Sequence, residues 1–211
     1  MSVRVRMLAA TAIVGALAAA GLVTAAVAAP TPTPSAAAKV STLQSAGPMA
    51  FAPNGVLLIG DTAAASVVAV ETGDTAKAKP GKIDIDDLAG KVAALLGTTK
   101  DQVAINDVAV NPISGSAYLS ISRGLGPDAA AIILKADRAG KLTEVKVDAL
   151  KHTSVSLLDA PAIDPSNPKT AAMRAQSITD LGYVNGQVLV AGLSNEEFSS
   201  SMRDASRCAR Q

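Results

Sequence analysis

From Pro48 to about Ser200 the chain alternates short apolar runs with turn residues. Three stretches share one pattern: Pro48–Asp61 (PMAFAPNGVLLIGD), Asn106–Ser122 (NDVAVNPISGSAYLSIS) and Thr179–Gly192 (TDLGYVNGQVLVAG). Each reads as a short apolar strand, a turn and a second apolar strand. In the first turn, Pro53 supplies a fixed φ, and Asn54-Gly55 supplies the positive φ that a tight reversal needs. Asn185-Gly186 between two apolar runs is the strongest short hairpin signal a sequence carries. Pro112 to Gly115 is a longer version of the same reversal. Further strands follow the hairpins at Ser66–Glu71, Ala131–Ala136 and Leu142–Val147, the last two joined by a turn at Asp137–Lys141. All are short and rich in Val, Ile and Leu, as strands are. The unit is a meander of about four antiparallel strands.

The recurrence is interrupted twice. Residues 84–97 (DIDDLAGKVAALLG) place Leu88, Val92, Leu95 and Leu96 on one helical face, with acids at the start and Gly97 at the end. That predicts an amphipathic helix inserted between the meander units. Residues 160–175 (APAIDPSNPKTAAMRA) are Pro-rich and read as loop.

The first 47 residues are different material. Arg4 and Arg6 precede an uncharged run from Met7 to about Ala28, and Ala26-Val27-Ala28 fits a small-x-small cleavage site. Residues 1–28 read as a signal peptide cut between Ala28 and Ala29, and residues 29–47 as a Pro/Thr/Ala-rich linker. The protein is then secreted or periplasmic. The Ala-rich run makes a weak anchor, so no stable membrane span is expected once it is removed. Its loss also removes two basic groups and leaves one more acidic than basic side chain, which points away from nucleic acid. A single Cys excludes an intrachain disulfide framework.

The block FAPNGVLLIGD, followed by VVAVETGD, resembles the blade motif of secreted bacterial propellers of the YVTN and quinoprotein amine dehydrogenase beta-chain-like type. INDVAVNPISGSAYLSISRG and SITDLGYVNGQVLVAGLSNEEFSS resemble successive blades of uncharacterised exported proteins of that class. The resemblance implies an all-β fold of about three propeller-type antiparallel blades over residues 48–200, with the helix near 84–97 as an insertion. Three blades do not close a ring. Residues 201–211, which hold three Arg and Cys208, lose the strand pattern. They read as an aberrant disordered tail, as in a truncated or frame-shifted propeller.

Candidate chemistry is sparse. Asp107 and Asp180 occupy matching places in their units, near the expected channel mouth, where carboxylates from successive blades could converge on Ca²⁺. The plainer alternative is that each caps the turn into its own strand. Asp61, Asn195, Glu196 and Glu197 follow outgoing strands and read as rim or solvated loop acids. No other cofactor is identifiable. His152, the only histidine, reads as a loop or surface residue, and Arg123-Gly124 as a loop able to meet an anion. No catalytic residue stands out. The expected function is a non-catalytic binding or scaffold module for an unknown protein or small-molecule ligand. The rival is a lactonase-like or quinoprotein-dehydrogenase-like enzyme whose active residues lie in missing blades.

Overall fold

The hairpin signals translate directly into strands. The structure, a computed structural model, describes residues 43–79, 81–194 and 200–204. The leader, most of the linker, Asn195, Glu196, Glu197 and Cys208 lie outside the described residues. Strands β1 (Met49–Ala52) and β2 (Val56–Asp61) flank a single 3-10 turn at Pro53–Gly55, where Asn54 and Gly55 sit at φ 60° and 72°. β3 (Ser66–Glu71) pairs with β2, and helix α1 (Leu88–Leu96) follows. β4 (Val103–Val110), β5 (Ala117–Arg123), β6 (Ala130–Ala136) and β7 (Leu142–Val145) form a four-stranded meander. After it come β8 (His152–Ser156), helix α2 (Lys169–Ala175), β9 (Asp180–Val184), β10 (Gln187–Leu193) and β11 (Ser200–Asp204). The described chain thus forms three antiparallel sheets with two helices, ordered β1-β2-β3-β8, β4-β5-β6-β7 and β11-β10-β9. No helix among the described residues is long and apolar enough to cross a membrane.

Side-chain alternation explains how the sheets stack. Successive strand residues face opposite sides. On β2, Leu57 and Ile59 enter a core with Tyr118 of β5 and Ile133 of β6, while Leu58 enters another with Leu181, Val188 and Val190 of the third sheet. On β3, Val68 and Val70 go one way and Val67 and Ala69 the other. The first sheet is therefore sandwiched, which is why VLLI and VVAV are apolar at every position. The second sheet repeats the logic: Leu119, Ile121, Ile132 and Leu134 point away from the first sheet, and Val92 of α1 covers them.

Five features depart from the sequence reading. The fourth strand of the first sheet is β8, which returns from beyond the second sheet to pair with β3, Val155 opposite Val67. Its sequence, HTSVS, was illegible because an edge strand needs only one apolar contact, here Val155. The third sheet packs on the first, and β1 neighbours both β4 and β9. Helix α1 begins at Leu88 rather than residue 84, because Asp87 at φ 48° accepts from the Gly90 N–H and sets the N-cap there. The expected loop at 160–175 contains α2, whose Ala-rich run has high helix propensity and follows Pro168. Its Arg174 donates to the carbonyls of Ala63, Ala64 and Pro161. Finally, β11 takes up residues 201–204 of the expected disordered tail, with Met202 opposite Ala191.

Leu57 and Leu58 are adjacent and fully buried, yet serve different interfaces. Leu57→Ala and Leu58→Ala should each cost about 2–5 kcal/mol. Amide exchange tells them apart: Leu57→Ala is expected to deprotect β5 and β6 more, and Leu58→Ala to deprotect β10 more. Equal deprotection of all three sheets by both variants would contradict the sandwiched arrangement.

Candidate functional site

Between β3 and α1, residues 72–79 and 81–87 pass from one face of the second sheet to the other without helix or strand, as a strap. It is held at several points. The Ala78 N–H donates to the Ile113 carbonyl (3.1 Å), and Arg138 Nη1 donates to the Lys79 carbonyl (2.7 Å). Two glycines make room for that guanidinium. A Cβ on Gly81 would lie 1.8 Å from Arg138 Nη2, and one on Gly115 would lie 2.7 Å from Nη1. At the next turn, a Cβ on Gly140 would come within 3.2 Å of Ile85 Cγ1.

Thus seated, the strap alternates Ile83 and Ile85, half-buried, with exposed Asp84 and Asp86. The isoleucines do not fill the space beneath them. A cavity of about 330 Å³ remains between Ile83, Ile85, Leu88 of α1, and Val108, Leu119 and Ala136 of the second sheet. Asp84 is the sole ionisable residue of its lining. The cavity adjoins bare sheet: α1 neighbours β4 and Val103 joins the cluster around Val92, yet Ile105, Val108 and Val110 of β4 stay exposed (37%, 50% and 58%).

On the opposite face of the second sheet, a polar cluster anchors the start of the crossing. Asp74 accepts from Ser114 Oγ (2.6 Å), Asn111 Nδ2 (3.2 Å) and Tyr118 Oη (3.2 Å), and pairs with Lys135 Nζ at 2.9 Å. Asn111 Nδ2 also donates to the Asp74 carbonyl at 2.7 Å. Burial opposes ionisation of Asp74, but the Ser114 hydroxyl, the Lys135 ammonium and the Tyr118 hydroxyl together outweigh it. The carboxyl titrates below the ordinary aspartate value. Burial, reinforced by the neighbouring Asp74 charge, pushes the Tyr118 hydroxyl up to about 12. Phe51 meets the Tyr118 ring edge-on at 5.2 Å.

The residues singled out from sequence are mostly engaged with backbone. Asp107 sits on β4 beside a bulge, and its Oδ2 accepts from the Met49 N–H at 2.7 Å, tying β4 to β1. The bulged Asn106 donates to the Ala46 carbonyl and to Ser122 Oγ. Asp180 opens β9 and accepts from the Leu181 N–H. Asp107 and Asp180 thus lie on the two strands that neighbour β1, each with a backbone donor. Among the described residues, no three His, Cys, Asp or Glu side chains gather so as to hold a metal ion. Asp61 is not a rim acid. It is buried, and it accepts from the N–H groups of Gln44, Ser45 and Ala64 and from Ser45 Oγ. His152 lies half-buried on β8 rather than in a loop, its Nδ1 2.8 Å from the Leu150 carbonyl. Arg123 donates to the Leu96 carbonyl at the C-terminus of α1, where a cation is favoured.

Sequence reasoning missed the strap, Asp74 and Arg138. Asn111 and Ser114 read only as turn formers, and nothing local announces that Asp74 reaches them across about 40 positions. Comparison with family models, curated proteins and solved structures finds no match to this chain.

The Asp74 cluster makes a signed prediction. A carboxyl with a lowered folded pKa stabilises fully above its unfolded value, about 3.9, and loses that contribution as pH falls through the folded value. Asp74→Asn is expected to lower stability at neutral pH by about 1.5–3 kcal/mol. It should also flatten the loss below about pH 4 in urea melts. An unchanged acid limb in the variant would show that other carboxylates dominate it.

Proposed function

We propose that this chain is an exported, non-catalytic binding or scaffold module made of propeller-type blades. The carrying observation is how its groups are allotted. The buried or half-buried carboxylates Asp61, Asp74 and Asp107 are taken up in joining segments to one another. The concavity under the strap is aliphatic and continuous with bare β4 surface. Binding by shape and apolar burial suits such a surface better than acid–base chemistry, which needs convergent ionisable groups. The blade reading draws support from the four-stranded meander of the second sheet and from β4, β1 and β9 lying side by side.

The rival reading is an enzyme of the lactonase or quinoprotein-dehydrogenase kind, and Ca²⁺ binding at Asp107 and Asp180 is tested beside it. Purified protein starting at Ala29 separates the two. It is expected to show no lactone hydrolysis and no dye-linked amine oxidation above the level of an Asp107→Asn/Asp180→Asn double variant. Its melting curves in millimolar CaCl2 and in EDTA should coincide. Turnover that the double variant loses would transfer the assignment to the rival, whereas a Ca²⁺-dependent rise in Tm that Asp107→Asn abolishes, without turnover, would make the module a metal-stabilised scaffold. Export has its own measurement. N-terminal sequencing of the protein recovered outside the cytoplasm should begin at Ala29, and recovery of Met1 there would overturn the cleavage.

A further inference from the structure

We infer that the cavity beneath the strap is a binding site for a saturated aliphatic chain, with the exposed β4 surface as its continuation. This rests on the binding-module reading above and names the ligand class. Size comes first. A cavity of about 150 Å³ admits a benzene-sized guest, and this one, at about 330 Å³, has room for roughly twice that. Lining chemistry comes second. Ile83, Ile85, Leu88, Val108 and Leu119 are all aliphatic, no aromatic ring borders the space, and Asp84 alone is ionisable. Such walls give dispersion and burial on the sides they enclose and offer no stacking platform.

Backbone chemistry separates an alkyl chain from a peptide. The site lies on a sheet face, and sheet hydrogen bonds run in the plane of the sheet: β5 and β6 pair on both sides, and β4, the edge strand, pairs with β5 on one side, so none of these groups points up at a guest on the face. A peptide laid there would bury its own N–H and C=O groups without partners, which is costly. An alkyl chain has none to satisfy. The exposed stripe supplies length: Ile105, Val108 and Val110 lie on the same face as Leu119 and Ile121, and from Val108, which lines the cavity, to Ile105 the apolar path runs on by roughly 10 Å at about 3.3 Å per residue. The strap is fixed by Arg138 and seated on Gly140, so the wall is preformed and little ordering is needed on binding.

The test is a titration of the purified chain from Ala29 with decan-1-ol, read by methyl NMR. Saturable shifts are expected at Ile83, Ile85, Leu88, Val108 and Leu119, and none in the core between the first and third sheets. Octan-1-ol and hexan-1-ol should bind progressively more weakly, by about fourfold for each methylene lost. Ala117→Leu, which fills the cavity from β5, should weaken decan-1-ol by at least tenfold. Val108→Lys alters an exposed position and leaves the core intact. It should also weaken binding, and it decides the matter should Ala117→Leu disturb the sheet. Three results would each overturn the site: no saturable shift at these methyls, shifts that neither variant reduces, or the same shifts produced by raising protein concentration with a doubling of mass. The last would make a second copy the occupant. Failure here together with absent turnover leaves the binding-module reading standing, whereas variant-sensitive turnover defeats that reading whatever decan-1-ol does.

Discussion

On β2 and β3 every side chain between Leu57 and Val70 that lies in a strand centre is enclosed, because another sheet presses on each face of the first sheet. Each fully buried Leu, Ile or Val there contributes about 1.5–3 kcal/mol, an upper estimate given that the unfolded chain buries some surface too. The two outer sheets reach each of the two main cores through this one. Close approach demands glycine at two points. A Cβ on Gly60 would meet Ile178 Cγ2 at 2.8 Å, and one on Gly192 would meet the Ser177 carbonyl oxygen at 2.0 Å.

Polar groups do the joining that burial cannot direct. Asp61 is almost fully buried, and its charge is tolerable because three backbone N–H groups and a hydroxyl point at it. That knot draws residues 44 and 45 against the β2–β3 turn and so brings Leu43 and Ala46 into the core beside Met49. Asp74, Asp107, Asn106 and Arg174 act similarly elsewhere, each joining positions about 37 to 111 residues apart in the chain. Hydrophobic contact is non-directional. These bonds choose one registry among the several that would bury similar area.

Strand positions and turn types were legible because they are local. Asn54-Gly55 and Asn185-Gly186 announce their reversals within two residues, and the apolar run Val188–Ala191 marks β10 as a strand. What depended on long-range pairing was not legible. HTSVS carries too little apolar signal to be read as a strand, and its partner β3 lies about 80 residues upstream. A single sequence also cannot say on which side of the first sheet the third will settle, since Leu57 and Leu58 are equally apolar. From sequence, Asp107 and Asp180 read only as matching positions in two repeats; which backbone donors they meet is a tertiary fact. The strap was hidden inside the predicted helix: Asp84 and Asp86 resemble first-turn acids until the Asp87 cap shows the helix starting after them.

The return of β8 to the first sheet has a kinetic side. Everything from Thr72 to Lys151, including the whole second sheet, is an excursion between two strands that pair with each other. Closing so long a loop is entropically unfavourable while it is disordered, although the added cost grows only slowly with length. Once β4–β7 have zipped through their own short hairpins, the excursion is a folded body whose ends are already near one another. The second sheet then becomes the template on which the first is completed, and β3 keeps an unpaired edge until β8 docks on it. During that interval its apolar VVAV run is an exposed strand edge of the kind that recruits other chains. Aggregation of this protein would accordingly be decided by how soon β8 reaches β3 as much as by the stability of the finished fold.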